Sequence, residues 1–169
     1  MNTILEYLKQ DYAMVTVVGP WLFTIFWYFW EGRKHPPPVD VCWWWVASLF
    51  VSWWMSSWEV TDSTRSLHIV NVFIMFVVFN LYAQRDVITP TAGYALSFVL
   101  EWTVDMARAY ELVLIHEAGP STYFLGVGGA GLHDGLLIFP FCTAVLIYYA
   151  RWRLKAPLVG APPLVSPLN

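Results

Sequence analysis

Five helix-length apolar blocks, separated by short polar breaks, leave this chain few ways to fold. They run over residues 13–30, 41–58, 67–83, 92–115 and 132–150. A helix of about 20 residues crosses a hydrocarbon core of roughly 30 Å, so each block is long enough to span. Composition agrees: 12% of the residues are charged and 58% hydrophobic, where soluble domains carry about 25% charged residues. The expected fold class is all-α, a polytopic membrane helix bundle over residues 1–155, followed by an extended Pro-rich tail over 156–169.

The fourth block tests that expectation, because Glu101, Asp105, Arg108 and Glu111 interrupt it. Each ionisable side chain near a bilayer centre costs roughly 2.5–3.5 kcal/mol on insertion scales. Charge placement decides in favour of a span. With five spans and the amino terminus outside, Arg33, Lys34, Arg85, Arg151, Arg153 and Lys155 fall on the cytoplasmic side, against only Lys9 and Arg65 outside. A four-span arrangement, with the fourth block on the surface, places Arg33, Lys34, Arg85 and Arg108 outside and fits the positive-inside rule poorly. The reading is therefore five spans, amino terminus outside, carboxyl terminus cytoplasmic. The sequence does not separate a bacterial inner membrane from an endoplasmic reticulum membrane.

This topology gathers the polar residues at one face. Ser48, Ser52 and Ser56 climb the second block at helical spacing toward Glu59 and Asp62. The third block begins outside with His68 and Asn71, and the fifth with His133 and Asp134. On the fourth, Tyr94, Ser97, Glu101, Asp105, Arg108 and Glu111 share a stripe of about 100°. Glu101 and Asp105, four apart, repel if both are ionised, which favours one shared proton; Asp105 and Arg108, three apart, are placed to pair. One carboxylic acid to donate and one carboxylate to accept is the pairing that acid–base chemistry uses.

The leading expectation is a small membrane enzyme of the isomerase, cyclase (lyase) or hydrolase kind, acting without redox chemistry on a lipid-like or isoprenoid substrate. Glu101 and Asp105 are the acid/base candidates, with Arg108 holding Asp105 ionised. Glu59, Asp62 and His68 complete the catalytic set, and Trp102, Asn71, Glu111, His133 and Asp134 are expected to contact substrate. No cofactor is called for. An alternative from another class is a subunit of a larger membrane complex, or a proton-linked transporter, whose charges meet a partner chain or a second copy. A third reading uses His68, His116 and His133 as metal ligands, although no metal-binding spacing motif is present. A structural role is the plain alternative for the whole stripe, since a buried ion pair also fixes helix register.

Several signals point away from other classes. No basic patch with interleaved aromatics supports nucleic-acid binding. The glycine-rich run Gly126–Gly131 lacks the Lys-Ser/Thr of a phosphate loop. Cys42 and Cys142 read as two free thiols. Gly19-Pro20 is expected either to kink the first span or to set its first turn, and Pro140 to kink the fifth.

Overall fold

A computed structural model describes residues 14–60, 65–82, 88–115 and 135–155. The chain is mostly helical. A π-helical turn, Met14–Val18, leads into α1 (Gly19–Trp27), which continues into a second π-helical turn, Tyr28–Gly32. Then follow α2 (Val39–Met55), the strands β1 (Ser57–Val60) and β2 (Arg65–His68), α3 (Phe73–Tyr82), α4 (Pro90–Ile115) and α5 (Gly135–Lys155). Pro20 is the second residue of α1, which follows directly on the π-helical turn, with Val18 already in helical conformation. Pro140 lies inside α5 and is fully buried.

All five apolar blocks contain helix, but two boundaries differ from expectation. The second helix ends at Met55 rather than at residue 58, and the third begins at Phe73 rather than at 67. Between them stands an antiparallel hairpin that pairs Ser57 with His68, Trp58 with Leu67, Glu59 with Ser66 and Val60 with Arg65. The physical reason is local: Trp58 and Val60 favour extended backbone, and the intervening Thr61-Asp62-Ser63-Thr64 is turn chemistry. Among the described residues, one helix, over Gly135–Arg153, is long and apolar enough to cross a membrane. The tail over 156–169 lies outside the described residues.

Beside an apolar core that includes Phe73, Phe98, Leu100 and Ile147, buried polar side chains include Thr16, Thr24, Ser48, Ser52, Ser56, Asn71, Ser97 and Thr143, while many large apolar side chains lie exposed on the helices. Trp54 is 78% exposed and Trp43 70%. Exposed apolar surface of that extent marks a contact with another protein, a membrane or a ligand.

Two contacts fix α4 against its neighbours. The Trp45 indole of α2 donates to the Leu96 carbonyl of α4 at 2.8 Å. On the other side α4 and α5 share the most extensive contact of any helix pair, with Gly93 under the Ile147 side chain. A Cβ at Gly93 would collide with Ile147 Cδ1 and sit 3.5 Å from Thr143 Cγ2. Ile147 is itself buried, so it has little room to retreat. Gly93→Val is expected to destabilise the protein by about 1–3 kcal/mol through overpacking, read as a lowered melting temperature in detergent, with part of the loss recovered by Ile147→Ala in the same chain.

At the start of α4, Glu31 ties the end of the first helical segment to the fourth helix. Its Oε1 accepts from the Thr89 hydroxyl and its Oε2 from the Thr91 hydroxyl, each at 2.7 Å. Thr89 Oγ1 in turn accepts from the Ala92 N–H at 3.2 Å, satisfying one of the amide donors that a helix start leaves open. Burial pushes the Glu31 carboxyl up, but the Thr91 and Thr89 hydroxyls, with the charges of His35 and Arg151, outweigh it and hold the group below its ordinary 4.5. A carboxyl held low in the folded state stabilises the fold fully above its unfolded pKa, and that contribution is lost as pH falls through the folded one. Thermal stability is therefore expected to decline as pH is taken below 4.5, with a smaller decline in Glu31→Gln.

Candidate functional site

The polar interior condenses into a cluster made by the start of α3, the middle of α4 and the first half of α5. Glu101 is 0% exposed and Asp105, one turn further along α4, is 5% exposed. Both carboxyls thus face their own bundle. Asn71 Nδ2 donates to Glu101 Oε1 and, at 2.8 Å, to Ser97 Oγ. The Thr143 hydroxyl of α5 donates to the Phe139 carbonyl at 2.8 Å and lies 3.4 Å from Ser97 Oγ. The other Glu101 oxygen faces α5, 3.6 Å from where a Cβ on Gly135 would stand.

Asn71 reaches this position because α3 starts only after it. Asn71 Oδ1 accepts from the Ile74 N–H at 3.3 Å, and Ser52 Oγ on α2 accepts from the Val72 N–H at 3.1 Å. These side chains satisfy backbone donors that a helix start leaves open. Ser52 also accepts, through its carbonyl, from the Ser56 hydroxyl at 2.6 Å. The serine stripe read on α2 is therefore real and buried, and its work is to hold the end of α2 against the start of α3.

Arg108 reaches toward the end of α2. It forms an ion pair with Glu111, at 2.6 Å. Its other terminal nitrogen donates to the carbonyls of Trp53 and, at 2.7 Å, Ser56. The guanidinium lies 5.2 Å from the centre of the Trp53 ring, whose indole donates to Glu111 Oε1 at 2.9 Å. The carbonyls at the end of α2 draw the guanidinium toward the side of α4 where Glu111 stands, because a helix C-terminus attracts cations. Arg108 and Glu111 thus close the end of α2.

The remaining expected site residues divide three ways. Trp102 packs edge-on against Trp21, with ring centres 6.0 Å apart, inside a cluster that includes Phe98. His68 ends β2 and is exposed rather than on a buried wall. Glu59 lies in β1 opposite Ser66. Asp62, His116, His133 and Asp134 lie outside the described residues. Among the described residues no group of three His, Cys, Asp or Glu side chains is placed to hold a metal ion. Cys42 and Cys142 are free thiols.

Thr143 and Trp53 carry parts of this architecture that the sequence reading missed. A lone Thr in the run Phe141-Cys142-Thr143-Ala144 was the available signal for the first. Trp53 carried none, being one of eleven tryptophans in the chain.

An apolar groove of about 240 Å³ runs between α2 and α3, lined by Trp44, Ala47, Val51, Met75 and Phe79 among others. Its wall includes Val72, the residue after Asn71. No protein-family model, no curated protein and no solved structure matches this chain.

Proposed function

We propose that this chain is a multi-pass membrane enzyme that uses Glu101 and Asp105 for non-redox acid–base chemistry on a hydrophobic, lipid-like substrate. The observation that carries the reading is the complete burial of Glu101 toward its own bundle. A charged helix that served as a contact for another subunit would turn its acidic stripe outward. Here two carboxyls one turn apart sit in a dry interior beside an amide and hydroxyls, which suits one of them to donate a proton and the other to accept.

The membrane part of the reading rests on the exposed apolar surface and on the loop charges. In the five-span arrangement, with the amino terminus outside, the hairpin β1–β2 lies at the outer face. The third span is then completed by the irregular stretch Ile69–Val72, whose Val72 amide is satisfied by Ser52. Irregular backbone is tolerated at such depth only where protein partners cover it. The groove beside Val72 gives the hydrocarbon part of a substrate an apolar bed next to the cluster. Isomerisation or cyclisation of an isoprenoid alkene requires proton donation to one carbon and removal from another, the task of a paired acid and base.

A general test does not need the substrate in advance. Purified protein in nanodiscs, supplied with isoprenoid and unsaturated lipids in deuterated water, is expected to place deuterium on carbon in one lipid class, read by mass spectrometry. In H₂¹⁸O the same assay reports hydrolysis. Incorporation that persists unchanged in both Glu101→Gln and Asp105→Asn overturns the assignment.

A further inference from the structure

Asn71 was expected to contact substrate, yet the geometry gives its side chain another task. A primary amide has two N–H donors and a carbonyl acceptor. Both donors are committed, one to Glu101 Oε1 and one to Ser97 Oγ, and the carbonyl accepts the Ile74 N–H. The residue is 5% exposed. Turning the amide over would set its oxygen against the Glu101 carboxyl and its N–H groups against the Ile74 N–H, so the network itself fixes the orientation.

We propose that Asn71 is a positioning residue: it caps α3 and, with the same amide, holds the Glu101 carboxyl in place against the start of α3. The inference rests on reading Glu101 as the reactive carboxyl. Two helices meet at this one amide, and a third joins through Ser97. α3 is anchored through the Ile74 N–H, α4 through Glu101 and Ser97, and Ser97 continues to Thr143 of α5. A residue that only capped α3 would need its carbonyl alone, and serine or aspartate would serve equally well there. The N–H pair is the part that capping does not explain. The Asn71 N–H occupies one oxygen of the Glu101 carboxyl and fixes its orientation, so loss of the amide changes what the carboxyl presents to a reagent even where the fold survives.

Asn71→Ser separates the two tasks, because serine keeps a capping oxygen but is too short to reach Glu101. The probe is dicyclohexylcarbodiimide, which enters apolar phases and adds a protonated carboxyl O–H across one of its C=N bonds, with no further reactant. Labelling of Glu101, located by peptide mass spectrometry at neutral pH, is expected to run about tenfold faster in Asn71→Ser than in the wild type, the scale of one hydrogen bond. An unchanged rate in a folded Asn71→Ser overturns the proposal. Should that variant fail to fold, protein carrying ¹⁵N-labelled asparagine decides: Glu101→Gln is expected to move the Asn71 side-chain amide protons upfield, and unmoved resonances overturn the proposal as well. Neither measurement reads turnover. Deuterium incorporation that persists unchanged in both Glu101→Gln and Asp105→Asn therefore defeats the enzymatic reading separately from the role of Asn71.

Discussion

Replacing Arg108 by alanine is expected to cost the fold about 3 kcal/mol, the largest loss of stability from a single change in this protein. The size follows from what the guanidinium holds. Its side chain is 17% exposed and that of Glu111 27%, so the pair lies between the exposed limit of about 0–1 kcal/mol and the buried limit of about 3–5 kcal/mol. Removing it also strips the Trp53 and Ser56 carbonyls of a charged donor, and an acceptor left unmet in a dry setting costs about 1–3 kcal/mol. In a chain of this size the sum corresponds to a fall in melting temperature of roughly 6–12 °C. Arg108→Lys should recover only part of it, because a single ammonium cannot meet Glu111 and two carbonyls with a planar fork. A melting temperature within 2 °C of wild type for Arg108→Ala, about the shift of under 1 kcal/mol, shows instead that the clasp is ornamental.

The second large effect concerns chemistry rather than stability. Glu101→Gln keeps the volume of the side chain and an oxygen for the Asn71 amide, so the fold should persist. What it removes is the ability to exchange a proton. General acid–base catalysis by one positioned group contributes typically about 10²–10⁴-fold, and a loss on that scale is expected in the deuterium-incorporation rate. Asp105→Asn should bring a loss of similar order if the two carboxyls divide donation and acceptance. The double variant should then lose little more than either alone, since groups that act as a unit are not additive. Two independent, multiplying losses would mean that the carboxyls serve separate steps.

The sequence made some of this legible and concealed the rest for definable reasons. Blocks four and five became α4 and α5 because each is long enough for more than five helical turns. The burial of Glu101 and Asp105 was readable because a spacing of four places both on one face. The hairpin was hidden because the apolar character of the second and third blocks runs straight into it. Trp58 and Leu67 look like the ends of two spans, yet they pair across β1 and β2. Alternation over only four residues is a weak signal beside a long apolar run. Spacing of three from Arg108 reaches Asp105 and Glu111 alike, and its contacts with the Trp53 and Ser56 carbonyls join residues 55 and 52 positions apart, which no local pattern encodes. Glu31 read as part of a polar break between spans. Its contacts with Thr89 and Thr91 join residues 58 and 60 positions apart, a pairing that no local pattern encodes.

The closing of α2 by Arg108 also carries a consequence for the order of events at synthesis. The carbonyls of Trp53 and Ser56 receive their donor from a residue 55 and 52 positions later in the chain. At roughly 5–20 residues per second, those positions take about 3–10 s to emerge. Throughout that interval α2 exists with its last turn unfinished. The second helix thus becomes a permanent element only when the fourth arrives, and a chain halted between them should remain open to proteolysis at the end of α2.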